Sequence, residues 1–342
     1  MAESSIPSGD GALLEARKLT RHFRIGGLRG HTLHAVDDVD LRIAEREIVA
    51  VVGESGSGKS TLARLLAMAY RPTSGEIFYR GRPVGALKSR KDQLAYRGQA
   101  PMVFQDPFSS LNPSHTIGYG MLRGLKLHQP QLDRAGRETE SDRVLEIVGL
   151  VPPRRVMARY PFELSGGQRQ RVGFAYALSY RPRLILADEP VSMLDVSIRI
   201  GLLNVMARLR EEEGVSILYI THDIASARYV SDRVIVMYAG HVVEHGPTEK
   251  VLHESVHPYT KLLLSAVPDP RAKVAISSSD LGKPPRVIDP GEGCRFRFRC
   301  PLAAPVCGEV TPLLTATGRG HEAACHITAP QRATTSLGSG RE

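Results

Sequence analysis

Between Met1 and Gly293 this chain has no cysteine; its four thiols, Cys294, Cys300, Cys307 and Cys325, all fall in the segment that follows. That excludes disulfides from the main body, and in a reducing compartment clustered thiols read as metal ligands or redox groups first. Long apolar runs are missing too. The longest are short segments such as IVAVV and LILA, far under the roughly 18 residues that cross a bilayer. The N-terminus, MAESSIPSGD, lacks a basic stretch followed by an apolar one, so secretion is disfavoured and a cytosolic protein is expected. No internal repeat is visible. The formal net charge of +9 is diffuse: arginines stand singly, with small groups at Arg154–Arg155 and at Arg295, Arg297 and Arg299. No recognisable nucleic-acid module accompanies them. The charge reads first as a solvated basic surface, then as a face apposed to anionic lipid, and only third as a nucleic-acid site.

What is present is enough chain, 342 residues, for one large domain and an appendage. Residues 12–25 and 32–52 alternate apolar and polar side chains and predict half-buried strands, the second running straight into glycines. From about 107 to 180 the pattern turns helical, with a polar break at QPQLDRAGRETES. RLILAD, VSILYITHD and RVIVMYAG predict further strands separated by helices, hence a mainly parallel sheet. Residues 267–293 are rich in Pro, Ser and Gly and read as a linker. RFRFR, residues 295–299, predicts a short strand, and the tail APQRATTSLGSGRE is expected to be disordered.

Gly53 to Thr61, GESGSGKST, fits the phosphate-loop pattern G-x-x-x-x-G-K-[ST] between a buried strand and an apolar helix. Glycines let the backbone wrap its N–H groups around phosphate oxygens, and the helix starting near Lys59 turns its positive end to the same anion. The candidate nucleotide-binding set is therefore Gly53, Glu54, Ser55, Gly56, Ser57, Gly58, Lys59, Ser60 and Thr61. Lys59 is suited to the β- and γ-phosphates and Ser60 to Mg²⁺. The apolar strand in RLILADE delivers Asp188 to its C-terminal end as a second Mg²⁺ group. Glu189, one residue on, is placed to polarise the attacking water as general base.

LSGGQRQR, Leu164 to Arg171, resembles the signature motif of ATP-binding cassette (ABC) ATPases, and it follows the phosphate loop in the family's order. Ser165, Gly166 and Gly167 offer a hydroxyl and free N–H groups at a helix start. In the family this motif, here Ser165, Gly166, Gly167 and Gln168, closes on ATP held by a partner domain. Other matches follow. Gln105 in MVFQDPFSSLNP resembles the glutamine that senses Mg²⁺ and water and links to the permease. Ser192 to Asp195, SMLD, resembles the D-loop, with Asp195 at the shared interface, and His222 in YITHD resembles the switch histidine. Phe23 in LTRHF matches the adenine-stacking aromatic. Two departures stand out: Met193 replaces a usual Ala, and Tyr176 a common Arg. The resemblance implies an α/β P-loop NTPase over residues 12–255: a RecA-like core, an antiparallel β subdomain and an α-helical signature subdomain at about 107–180.

Beyond it, HESVHPYTKLLLSAVPDP, GCRFRFRCPLAAPVC and HEAACH resemble the C-terminal extension of the oligopeptide/dipeptide importer subfamily, here residues 256–330. The thiols are spaced C-x5-C-x6-C-x17-C. Four thiolates suit zinc or an iron–sulfur cluster; the tight pairs usual in structural zinc sites are absent, and free thiols remain a third reading. The subfamily resemblance implies a [4Fe–4S] cluster on Cys294, Cys300, Cys307 and Cys325. It further implies an ATPase peripheral to the cytoplasmic membrane face. Its partners would be a second, paralogous ATPase subunit, two permease subunits and, through them, an extracytoplasmic binding protein, with no nucleic acid. Peptides are the expected cargo, with nickel or sugar as alternatives. A non-transport ABC ATPase acting on ribosomes or DNA is the runner-up; it fits poorly, because the chain carries one cassette with no coiled-coil insertion between Gly53 and Ser165. Residues 1–11 and 331–342 are expected to be disordered.

Overall fold

The computed structural model describes residues 11–26, 30–106, 111–265 and 287–329. The disorder expected at the two ends thus lies outside the described residues except at Gly11 and at Ala329, which is buried, as does the linker up to residue 286. Strands β1 (Ala12–Ile25), β2 (His31–Ala44), β4 (Ser74–Tyr79) and β5 (Arg82–Pro83) form one antiparallel sheet among the described residues, in the order β2-β1-β4-β5. A second sheet runs β11-β12-β10-β9-β3-β8-β7-β6, with β3 Ile48–Val52, β6 Met102–Val103, β7 Leu184–Asp188, β8 Ser216–Thr221, β9 Arg233–Tyr238, β10 His241–Pro247, β11 Thr315–Gly318 and β12 His321–Ala323.

The stretch read as one strand region over 32–52 is therefore split. A left-handed residue, Arg46 at φ 59°, turns the chain so that β2 and β3 enter different sheets. Strands β3, β7 and β8 are buried at every residue, because a parallel sheet is covered on both faces. That explains their continuous apolar sequences. One face packs against α1 (Lys59–Leu66) and the antiparallel sheet, which share the cluster around Leu14, Val49, Leu62 and Ile235. The other packs against the helical layer through Ile117, Phe174, Met206 and Tyr219.

Beyond α1, the α-helices among the described residues are α2 (Arg90–Gln99), α3 (Ile117–His128), α4 (Arg134–Ile147), α5 (Pro153–Met157), α6 (Gly166–Ser179), α7 (Val196–Glu211), α8 (Ile224–Val230), α9 (Thr248–His253), α10 (Pro258–Ser265) and α11 (Val306–Glu309). Their starts are legible: Thr116, Asp133, Ser165 and Asp195 each accept a hydrogen bond from a backbone N–H in the first turn, the preferred N-cap chemistry. The polar break expected near 129–141 marks the α3–α4 junction, capped at Asp133.

Two expectations are corrected. RFRFR is no strand: Arg297–Arg299 form a 3₁₀ turn. A strand would put Phe296 and Phe298 on one face, yet Phe296 is 1% exposed and Phe298 81%. The end of the supposed linker is also packed. Val287 is buried, His34 N–H donates to its carbonyl at 2.9 Å, and Asp289 accepts from Thr32 N–H at 2.8 Å.

Two of the joins between the extension and the body are a strand pairing and an aromatic contact. Strand β12 pairs with β10, Glu244 opposite Ala323, and Phe296 packs on Tyr238 and Tyr259 with ring centroids 5.2 and 5.5 Å away. At the first join Glu244, fully buried, accepts from Val256 N–H (2.7 Å) and His257 N–H (3.0 Å) and pairs with His321 Nε2 at 2.7 Å. Burial pushes its carboxyl up, but these hydrogen bonds outweigh burial and hold it below the ordinary carboxylate value. Glu244→Ala leaves three buried groups unpartnered, so we expect a loss of about 3 kcal/mol or more in denaturant unfolding. A loss under about 1 kcal/mol, typical of an exposed contact, would contradict that role. Because the folded value is depressed, Glu244's contribution is present above its unfolded value of about 4.3 and fades as pH falls through the lower, folded one.

Candidate functional site

Strand β3 ends at the phosphate loop, and α1 begins at Lys59. Two glycines are required where the loop meets the body. A Cβ on Gly53 would lie 2.2 Å from Met237 O, and one on Gly58 2.2 Å from Ala35 O; both have positive φ, 152° and 104°. The loop can therefore seat deep enough to aim its N–H groups at an anion only if these positions carry no side chain. Lys59 bends back over the loop, its Nζ donating to Gly53 O and Glu54 O at 2.8 Å each. Burial pushes its pKa down.

Asp188 sits at the C-terminal end of β7, where Ser60 Oγ donates to it at 2.7 Å. Burial raises its pKa. Glu189 follows in a left-handed conformation, φ 47°, a costly state for a non-glycine residue that tight surroundings must hold. Its N–H donates to Ile220 O at 3.0 Å, tying it to β8. The carboxylate oxygen Oε2 accepts from Gln105 Nε2 at 3.2 Å and lies 3.2 Å from His222 Nδ1. Ser192 Oγ, 3.4 Å from Gln105 Nε2, donates to Glu189 O at 3.0 Å. Gln105 and His222, from two separate sequence motifs, thus converge on the Glu189 carboxylate.

They line a cavity of about 850 Å³ together with Ser55, Gly56, Gly58, Lys59, Ser60 and Thr61. Ser60, Asp188 and the amide oxygen of Gln105 form a hard-oxygen donor set suited to Mg²⁺. The other wall is apolar, from Leu33, Ala35 and Val287, with His34 among them. Sequence reasoning missed this wall, and no motif marks it. Val287 comes from the end of the segment read as a linker.

Several candidates stand elsewhere. Gly53, Glu54 and Ser57 are not among the lining residues; Glu54 is turned away, and its carboxylate meets Arg299. Phe23 lies edge-on to Tyr70, centroids 5.5 Å apart, with the Arg21 guanidinium 4.5 Å above its ring, and does not line the cavity. Its cross-strand partner Leu33 does. Ser165, Gly166, Gly167 and Gln168 open α6 away from the cavity. Ser165 and Gln168 close a capping box, and Ser165 and Gly166 are exposed. Asp195 caps α7 by accepting from Ile198 N–H at 3.0 Å. Around it Met193, Val196 and Ile200 are 69%, 67% and 45% exposed. The departure at Tyr176 has a structural reason: its hydroxyl donates to Ile117 O at 2.7 Å, and a Cβ on Gly120 would lie 2.5 Å from that oxygen.

All four cysteines are free thiols. Cys294 N–H donates to Cys307 O at 2.8 Å, and burial, reinforced by the neighbouring Cys307, Cys300 and Cys325, pushes the Cys294 pKa up. Among the described residues no three of the sulfurs lie within 4.8 Å of one another. Thiolates sharing one tetrahedral zinc ion stand about 3.8 Å apart, from Zn–S bonds of about 2.3 Å, so this arrangement does not fit a single zinc ion.

A phosphate loop, a strand-end Asp–Glu pair, a glutamine and histidine on that Glu, and a remote serine-capped helix together define an ABC-type ATPase. Comparisons agree and go further. The ABC transporter family model matches residues 36–192, and that of the oligopeptide/dipeptide transporter C-terminal region matches residues 243–307. The oligopeptide transport ATP-binding protein OppF of Escherichia coli is 40% identical, over 94% of this chain and 98% of its own. OppF of Salmonella typhimurium is 43% identical over 92% and 95%, and the oligopeptide transport ATP-binding protein AppF of Bacillus subtilis 39% over 92% and 97%. Among solved structures, the dimeric post-hydrolysis ATP-binding cassette MJ0796 bound to ADP and Pi superposes with a TM-score of 0.62 at 28% identity, covering 69% of this chain and 98% of that one. CbiO1 from Clostridium perfringens gives 0.62 at 26%, covering 72% and 93%. The chain belongs to the ABC transporter family, in its oligopeptide/dipeptide transporter branch.

Proposed function

We propose that this chain is the ATP-hydrolysing subunit of an importer of di- and oligopeptides, driving separate permease subunits. The observation that carries the reading is the meeting of Gln105, Glu189 and His222 beside Lys59 and Ser60, with the signature serine facing a different surface. Glu189 takes a proton from the attacking water while His222 and Gln105 hold its carboxylate in place. Lys59 offsets charge on the phosphoryl oxygens, and bound Mg²⁺ adds to that neutralisation at Ser60, Asp188 and Gln105. Ser165, Gly166, Gly167 and Gln168 then serve ATP on an opposing subunit, with Asp195 and the exposed Met193 and Val196 at the seam. A paralogous ATPase is the expected partner. Relatives named for oligopeptide transport favour peptides over nickel or sugar, and transport over ribosome or DNA work.

Among the described residues no helix is long and apolar enough to cross a membrane; the pore is assigned here to separate permease chains, as the transport names of the relatives favour. A groove of about 410 Å³ bordered by Leu111, Tyr119, Arg123, Pro161 and Tyr176 lies on the helical layer. Leu111, six residues after Gln105, lines it, and it suits a permease segment that reports on the nucleotide state. The chain then sits peripherally on the cytoplasmic face, with an extracytoplasmic binding protein reached through the permeases. The four cysteines would hold a [4Fe–4S] cluster that staples the extension. Its thiolates would supply the ligands, and anaerobic purification of brown protein with visible absorption is the expected sign; colourless protein would count against it.

Because one wall of each ATP site is donated by a second subunit, the isolated chain is expected to hydrolyse ATP at least about 10-fold more slowly than the assembled complex in vesicles. The oxyanion-type donors it lacks are each worth about 10²–10³. Equal turnover by chain and complex would reject the two-subunit site. Uptake of labelled peptides, but not of nickel or sugars, by the same vesicles tests the cargo.

A further inference from the structure

The turn that carries two of the cysteines also carries the residues that grip the phosphate loop. Arg299 makes a two-pronged pair with Glu54: Nη1 donates to Oε2 and Nη2 to Oε1, both at 2.8 Å. The two side chains are 11% and 20% exposed, so water screens the pair little. Arg299 also lies 5.7 Å from the Tyr238 ring centroid and 5.9 Å from that of Phe296. Glu54 is held a second time, its N–H donating at 2.9 Å to the hydroxyl of the buried Tyr259 on α10. Its carbonyl accepts from Lys59 Nζ at 2.8 Å. One residue therefore links the C-terminal extension to the lysine of the phosphate loop.

This arrangement answers a charge problem. A carboxylate in a phosphate loop repels the polyanion that the loop binds. Glu54 is nevertheless absent from the cavity wall, while its neighbours Ser55 and Gly56 line it. Arg299 both neutralises the carboxylate and fixes it on the outer side of the loop; a planar guanidinium suits that double contact where an ammonium would make a single one. Arg295, four residues earlier on the same turn, holds Asp37 and the carbonyl of Ala239. Asp37 in turn holds His34 of the cavity wall at 2.8 Å.

We propose that Arg299 is a positioning residue for ATP binding. By drawing the Glu54 carboxylate away from the cavity it shapes the phosphate loop and aims Lys59, so the cysteine-bearing turn clamps the nucleotide site. The inference rests on reading the cavity as an ATP site. The test is equilibrium titration of the purified full chain with a fluorescent ATP analogue and Mg²⁺, alongside thermal melting. Arg299→Ala is expected to weaken binding about 10-fold, the worth of one lost charge-assisted pair. Arg299→Lys is expected to fall between that variant and the parent. Adding Glu54→Gln to Arg299→Ala is expected to recover much of the loss, because the unneutralised carboxylate is gone; a merely structural arginine gives no such rescue. Parent-like affinity in folded Arg299→Ala, or failure of Glu54→Gln to rescue, overturns the clamp and leaves the ATP site standing. Should Arg299→Ala not fold, Arg299→Lys decides: a several-fold weaker affinity supports the proposal, and an unchanged one overturns it. A parent chain that binds no nucleotide overturns the functional reading itself, and the clamp with it.

Discussion

Glu189→Gln abolishes steady-state ATP hydrolysis by the assembled transporter, lowering kcat by about 10²–10⁴-fold, the usual worth of a general base, while nucleotide binding persists. The amide has nearly the same shape and can still meet Gln105 and His222, which contact the Glu189 carboxylate at 3.2 Å each. It cannot take a proton. ATP should therefore stay intact and bound, and gel filtration of the variant with ATP should show a persistent two-subunit species. Phosphate release and nucleotide retention on the purified complex check both halves. Peptide uptake at the parent rate by Glu189→Gln complexes would remove Glu189 from the chemistry and leave the strained backbone at that position, φ 47°, without a catalytic purpose.

The second large effect is at Lys59. The residue is 4% exposed, its ammonium contacts the carbonyls of Gly53 and Glu54, and burial already pushes its pKa down. Those two carbonyls accept from the buried charge, and a bound phosphate would complete its shell. Lys59→Ala removes at least two charge-assisted contacts to the β- and γ-phosphates, each about 1.5–3 kcal/mol, so the Kd for ATP should rise about 100-fold or more. Folding stability should scarcely fall, since a buried cation is lost along with its bonds. A folded Lys59→Ala chain that binds ATP within a few-fold of the parent would contradict the assignment; titration and a melt on one sample separate binding loss from unfolding.

Much of this was legible without coordinates. The strands IVAVV, LILAD and SILYIT are continuous apolar runs because a parallel sheet covered on both faces leaves no polar side, and each motif sits at such a strand's end. The caps at Ser165 and Asp195 could be read from residue type. Less legible were β4, β5 and α2, which carry no chemical motif and little periodicity. RFRFR misled because alternation cannot distinguish a strand from a turn in which one phenylalanine is buried and the next exposed.

By itself the sequence determined the class of chemistry: glycines where only a missing side chain lets backbone approach an anion, and a lysine, two carboxylates, a glutamine and a histidine in a fixed order. Those are local requirements, and local pattern is enough to state them. Tertiary structure alone decided which side chains from distant parts of the chain meet. It placed Gln105 and His222 on one oxygen of Glu189, turned Phe23 from the cavity wall and brought Leu33 to it, and folded the cysteine-bearing turn back so that Arg299 reaches Glu54. Such contacts depend on how sheets and helices stack across hundreds of residues, and no short stretch of sequence records that stacking.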